Sequence, residues 1–280
     1  MNFADQAALW AMRLLGAKSR WLDGDGGRVH VLDIPGTGKA PPVLLVHGLG
    51  SCAADYLPMI RAMRGVARNV VAVDLPGHGQ SPPPTAGMHP QHLRSVLASV
   101  LDRLVPEPHV VFGNSLGGAV ALRLAAGWPD RVCGVMVASP AGAPMQEADL
   151  REFLAGFRFP TRGHALAFVD RFLARRRWIR SALAFGVRYR MRREPIQALL
   201  DAIGPGDLLS EDELRRVTAP VHVFWGAGDG VLPPANAAWF RAHLPANAVV
   251  EVVEGFGHAP YVDDAGDFNR RVVDFVRACR

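Results

Sequence analysis

A chain of 280 residues that is 49% hydrophobic has enough apolar side chain for one large core with an inserted subdomain. Its three cysteines, Cys52, Cys133 and Cys279, are too few and odd in number for a disulfide framework and point to a reducing, cytoplasmic setting. No apolar run reaches bilayer length, and the net charge of +5 comes without a nucleic-acid-binding module, so neither a membrane-spanning protein nor a nucleic-acid partner is expected.

Residues 1–18 read as an amphipathic helix, with Phe3, Ala7, Trp10 and Leu14 on one face and Asp5, Arg13 and Lys18 elsewhere. A basic leader region is missing and Arg13 interrupts the apolar stretch, which argues against a signal peptide. The first reading is a helix packed on the body; the second is a membrane-surface or substrate-entrance helix. Ser19–Asp23 and Arg28–Ile34 then form an edge hairpin around Gly24-Asp25-Gly26-Gly27. Strands near 43–46, 69–73, 109–113, 133–138, 220–225 and 248–253 alternate with helices near 54–64, 89–104, 116–127, 235–243 and 264–279. Alternation of this kind predicts a mostly parallel sheet covered by helices on both faces.

The alternation lapses between Ala141 and Leu209, which reads as a helical cap over 141–209 inserted into a core of 19–140 and 210–280. The cap holds Phe153, Phe157, Phe159, Phe168, Phe172, Trp178, Phe185 and Tyr189. Such aromatics either line an apolar site or pack the cap onto the core. Between Arg151 and Arg193 twelve arginines stand against two acids, Glu152 and Asp170, a local balance of +10 against −5 for the rest. That is first a solvated helix face, and second a surface attracted to anionic head groups or acidic substrates.

The chemistry concentrates in Val110-Val111-Phe112-Gly113-Asn114-Ser115-Leu116-Gly117-Gly118, a strand, a sharp Gly-x-Ser-x-Gly turn and a helix start. A serine hydroxyl needs a base, and the base an orienting carboxylate. Asp229 follows one late strand and His258 the next, each on a glycine-flanked loop; in a parallel sheet these loops open at the edge where Ser115 sits. After the apolar Val43–Val46, His47-Gly48-Leu49-Gly50 supplies a loop whose Leu49 N–H, with that of Leu116, is assigned to an oxyanion hole.

These segments, with Asp74-Leu75-Pro76-Gly77-His78-Gly79-Gln80-Ser81, resemble the α/β-hydrolase superfamily from about Trp21 to the C-terminus. Within it the chain looks most like monoacylglycerol-lipase-like and carboxylesterase-like members with a helical cap, a similarity shared by Ser139-Pro140-Ala141-Gly142. The resemblance implies a serine hydrolase acting on a small-molecule or lipid ester without cofactor or metal. Thioester, carbon–carbon or perhydrolytic chemistry on the same three residues, or an idle ligand-binding site, are the alternatives. Serine rather than aspartate at position 115 argues against dehalogenase or epoxide hydrolase chemistry. Asp74 and His78 read as turn residues, and His89 and His92 lack a nearby third metal ligand. Asp263 and Asp264 read as caps of the last helix.

Overall fold

The computed structural model describes residues 3–24, 27–175 and 178–279. Asp25, Gly26, Arg176, Arg177 and the side chains of Phe3, Asp5 and Ala7 lie outside the described residues. Eight strands form one sheet: β1 (Lys18–Gly24), β2 (Gly27–Pro35), β3 (Val43–Val46), β4 (Asn69–Val73), β5 (His109–Asn114), β6 (Val132–Ala138), β7 (Val221–Gly226) and β8 (Val249–Val253). Their order is β1-β2-β4-β3-β5-β6-β7-β8. The β1–β2 hairpin and the β2–β4 pair are antiparallel, and every pair from β4 to β8 is parallel. Val43-Leu44-Leu45-Val46 and the residues of β5 are buried throughout, because a central parallel strand has a covered face on both sides. At the edge, β8 leaves Val249 and Val252 exposed.

The two-residue period of each strand sorts its side chains into two layers. Leu44, Val46 and Val111 join α3 (Pro90–Leu104), α4 (Leu116–Gly127), α9 (Glu211–Arg215) and α10 (Asn236–His243) in one core. Val43, Leu45 and Phe112 face α1 (Phe3–Leu14), α2 (Leu57–Arg64) and α12 (Ala265–Ala278) on the other side. The short α11 (Pro260–Asp263) leads into α12, whose first turn is capped by the Asp264 carboxylate accepting from Asp267 N at 2.9 Å.

Helix α1 docks through Leu9 and Met12, not through the face that sequence periodicity singles out. Trp10 is 64% exposed and Leu14 68% exposed, both turned to solvent. Leu9 and Met12 lie three residues apart on a second apolar stripe, and that stripe meets the core.

Between β6 and β7 the chain inserts α5 (Glu147–Ala155), α6 (Arg162–Phe172), α7 (Arg180–Met191) and α8 (Glu194–Ala202). These four helices have a core of their own, built on Phe157, Phe159, Phe168, Ala184, Ile196 and Leu200. The insertion's exit is pinned to its entrance, since Leu209 N donates to Gly142 O at 2.8 Å. Gly142 adopts φ +103 there, a left-handed conformation that L side chains rarely take.

Candidate active site

Ser115 occupies the turn from β5 into α4 with φ 54 and ψ −119. A non-glycine residue held there costs on the order of 1–3 kcal/mol, which surrounding bonds must offset. They do so from both flanks: Ser115 N donates to Ala138 O at 3.1 Å, while Ala141 N and Gly118 N donate to Ser115 O at 3.0 and 2.9 Å. The motif's glycines are required by close approach. A Cβ on Gly113 would overlap the Gly117 carbonyl, and one on Gly117 would overlap the Val46 carbonyl.

Asp229 and His258 are brought together from the loops after β7 and β8. His258 Nδ1 lies 2.8 Å from Asp229 Oδ2, with both side chains buried. Asp229 Oδ1 accepts from Val231 N at 2.8 Å and from Leu232 N at 2.9 Å, so the carboxylate is fixed before it meets the histidine. An ionised carboxylate only accepts, which places the proton on Nδ1 and leaves the Nε2 lone pair free to take one. Ser115 and His258 share the wall of one cavity, although no hydrogen bond joins their side chains among the described residues. Catalytic hydrogen bonds are often long before substrate arrives.

Three supports of this pair are invisible in local sequence. Asn114, the residue before the serine, donates from Nδ2 to Ala138 O and to His258 O, each at 3.0 Å, and accepts from Tyr261 Oη at 3.3 Å. Phe172 O in α6 accepts from His258 N at 2.9 Å, and the Phe172 ring lies 5.5 Å from the imidazole. Asp263 corrects the expectation of a helix cap. Its carboxylate accepts from Gly257 N at 2.7 Å and from Ala174 N at 3.1 Å, tying the histidine loop to the end of α6.

The Leu49 loop is set by His47. Leu75 N donates to His47 Nε2 at 3.0 Å, so the ring proton is on Nδ1, which donates to Gly48 O at 2.8 Å. Burial lowers the His47 pKa and keeps the ring neutral for this role. Neither the Leu49 nor the Leu116 N–H has a protein acceptor among the described residues, and Leu116 opens α4, where N–H groups have no intrahelical partner. Asp74 and His78 are buried in structural roles. Asp74 accepts from Ala53 N at 2.8 Å, Gln80 N at 3.0 Å and His30 Nδ1 at 2.9 Å. His78 bonds Pro76 O at 2.9 Å, and burial pushes its pKa down to about 3. His89 Nδ1 accepts from Gln91 N and His92 Nδ1 bonds Gly87 O, both within their own exposed turn.

Two cavities meet at Ser115. One, of about 430 Å³, runs under the inserted helices and is lined by His258, Phe168, Phe172, Leu183 and Val187. The other, of about 80 Å³, is walled by Leu116, Met145, Leu150 and Phe153. Leu49, Ser115 and Phe157 belong to both. Thus Phe153, Phe157, Phe168 and Phe172 line the site and Phe159 packs the insertion's core, whereas Trp178, Phe185 and Tyr189 face solvent. Arg190 from α7 reaches the wall of the larger cavity and grips Asp55 with two bonds, of 2.6 and 3.0 Å. Burial alone would raise the Asp55 pKa, but the Arg190 guanidinium and the Ser51 hydroxyl, at 2.6 Å, hold it below the usual carboxylate range. A wider cleft of about 750 Å³ beside Pro41 and Pro108 opens at the opposite edge, where β3 and β5 begin.

Chemically, the arrangement offers a hydroxyl on a strained turn, an imidazole held by a carboxylate, and two N–H groups without an acceptor among the described residues, beside apolar space. Comparison with known proteins agrees with the fold and narrows the company it keeps. Over 266 residues the chain is 32% identical to the dihydrolipoyllysine-residue acetyltransferase component of the acetoin cleaving system of Cupriavidus necator, covering 90% of this chain and 67% of that one. It is 31% identical over 267 residues to the pimeloyl-[acyl-carrier protein] methyl ester esterase of Aromatoleum aromaticum, covering 85% and 98%. A 2-hydroxy-6-oxononadienedioate/2-hydroxy-6-oxononatrienedioate hydrolase of Cupriavidus pinatubonensis is 29% identical over 271 residues, covering 91% and 92%. Among solved structures, a bacterial membrane phospholipase A superposes with a TM-score of 0.81 at 23% identity, over 99% of this chain and 94% of that one. With residues 43–271 matching the family model described as alpha/beta hydrolase, the chain belongs to the alpha/beta hydrolase family.

Proposed function

We propose that this hydrolase cleaves a carboxylic ester of a small molecule or lipid through an acyl-enzyme on Ser115. The observation that carries the reading is that His258, held from behind by the buried Asp229 carboxylate, shares a cavity wall with Ser115. His258 Nε2 takes the hydroxyl proton as Ser115 Oγ bonds to the ester carbon, and the oxyanion that forms is held by Leu49 N–H and Leu116 N–H. Collapse of that intermediate breaks the ester C–O bond, and His258 returns the proton to the departing alcohol. Water then repeats the sequence on the acyl-enzyme, releasing the acid and restoring Ser115. No cofactor or metal enters these steps. The ester would lie across the junction of the two cavities, one arm in the compact pocket beside Met145 and Leu150, the longer arm beneath α7. Segment 141–209 acts as the cap over both.

A second reading, hydrolysis of a carbon–carbon bond with the same groups, is favoured by the named relative that spans nearly the whole of both chains. A panel of p-nitrophenyl esters of graded acyl length, an acyl thioester and a vinylogous 1,5-diketone separates these chemistries. Ester turnover together with labelling by a fluorophosphonate, both lost in Ser115→Ala, is the expected result. Turnover of the diketone alone would move the assignment to carbon–carbon cleavage. No labelling of the wild-type chain would leave a ligand-binding site without this chemistry.

A further inference from the structure

The cavity that holds Ser115 is bordered by Ala8 of α1 and by Ile179, Ala182 and Leu183 at and beside the start of α7. The same two segments carry most of the large apolar side chains that the described residues leave in water, the others being Trp21 on β1 and Val249 and Val252 on β8. Trp178 is 94% exposed and Phe185 72% exposed, next to Tyr189; Trp10 and Leu14 stand out from α1. Soluble surfaces scatter such residues singly, whereas here Trp10, Leu14, Trp178, Phe185 and Tyr189 lie on segments that border one cavity. Each group has an exposed arginine close in sequence: Arg13 between Trp10 and Leu14, Arg175 before Trp178, and Arg192 after Tyr189. None of these three arginines has a carboxylate partner among the described residues, unlike Arg158, Arg180 and Arg190, which pair with Asp201, Asp170 and Asp55.

We propose that the outward side of α1 and the Trp178–α7 segment form a docking surface for an anionic phospholipid bilayer. Aromatic rings with unpaired cations and no intervening acid match a headgroup boundary, where rings enter the acyl edge and arginines meet phosphate. The charge argues for lipid over a second copy of this chain, because two such faces would set unpaired arginines against one another. No helix among the described residues is long and apolar enough to cross a membrane, so the contact is peripheral. Docked in this way, the protein presents the larger cavity to the bilayer, and a lipid ester reaches Ser115 without crossing water. That last step rests on the proposed ester hydrolysis; the docking itself does not.

The test is flotation of the full chain, in wild-type and Ser115→Ala forms, with vesicles of phosphatidylcholine alone or mixed with phosphatidylglycerol, at low and moderate salt. Both forms should float with the anionic vesicles at least about tenfold better than with the neutral ones, and salt should weaken the binding severalfold. Trp178→Ser with Phe185→Ser, and separately Arg175→Gln with Arg192→Gln, should each reduce flotation about tenfold or more. Hydrolysis of a soluble short-chain ester should stay unchanged, since none of these four side chains lines either cavity at Ser115. Equal or absent binding to the two vesicle types overturns the proposal. So does flotation that the aromatic and arginine variants leave intact, or a loss of self-association in those variants on size-exclusion chromatography. Flotation with no ester turnover would retain the docking surface and remove the esterase.

Discussion

Asn114→Ala tests whether the serine turn and the histidine loop are one structure. The change deletes the Nδ2 donor shared by Ala138 O and His258 O, and the Oδ1 acceptor of the Tyr261 hydroxyl. Ala138 O keeps Ser115 N at 3.1 Å, so only His258 O and the Tyr261 hydroxyl are stranded. A stranded buried polar group costs about 1–3 kcal/mol, and the 3.3 Å tyrosine bond belongs at the low end of that range. Loss of stability should therefore be about 2–4 kcal/mol. The kinetic effect follows from the freed histidine loop: a displacement of about 1 Å in a catalytic group costs on the order of 10²-fold. Urea unfolding, paired with kcat on a soluble p-nitrophenyl ester below the variant's transition, measures both. Tyr261→Phe removes only the weak bond and should cost about 1 kcal/mol with kcat nearly intact. An Asn114→Ala protein within about 0.5 kcal/mol of wild type, or a Tyr261→Phe protein equally damaged, would refute the tether.

Turnover in Ser115→Ala should fall about a millionfold, and in Asp229→Asn about 10⁴-fold, with both proteins folded by circular dichroism. Gly117→Ala drives a methyl group into the Val46 carbonyl, so soluble, cooperatively folding protein should be lost. Stability should decline on acidification, because burial pushes His78 to about 3 and His109 to about 4 from the usual 6.5. The unfolded chain takes up protons that the fold refuses, so the stability present above pH 6.5 is lost as pH falls towards these values. At pH 5 the two groups together remove about 4 kcal/mol, which urea midpoints at pH 7 and 5 should show and which His78→Gln should roughly halve.

The sheet is legible in sequence because its central strands are built on short apolar runs, Val43–Val46 and Val110–Phe112. Val43–Val46 and His109–Asn114 are buried on both faces and bounded by loops, leaving little competition for the strand assignment. Ser115, Asp229 and His258 can each be read alone, since each sits on a loop with glycines after a strand. What holds them is harder to read. Asn114 meets His258 across 144 positions and Arg190 meets Asp55 across 135, and neither pairing leaves a local pattern. Asp263 looks like a helix cap because capping is the local role of an aspartate at that place; the end of α6, folded back against it, supplies the competing donor. Which stripe of α1 meets the core is hidden for another reason. The helix has two apolar stripes, and periodicity cannot say which one faces the core.

The Asp55–Arg190 pair has a consequence for how such proteins are recombined. Asp55 also receives the Ser51 hydroxyl and the Cys52 N–H, so a residue of the inserted helices anchors the far end of the loop that carries Leu49. Replacing the insertion with a foreign one would retain Ser115, Asp229 and His258 yet strand a half-buried carboxylate beside the loop. A chimera should then recover its rate only when the donor segment brings a bidentate cation at the position of Arg190. The insertion is therefore an inherited partner of the loop, and specificity and reactivity in this chain would have to be exchanged together.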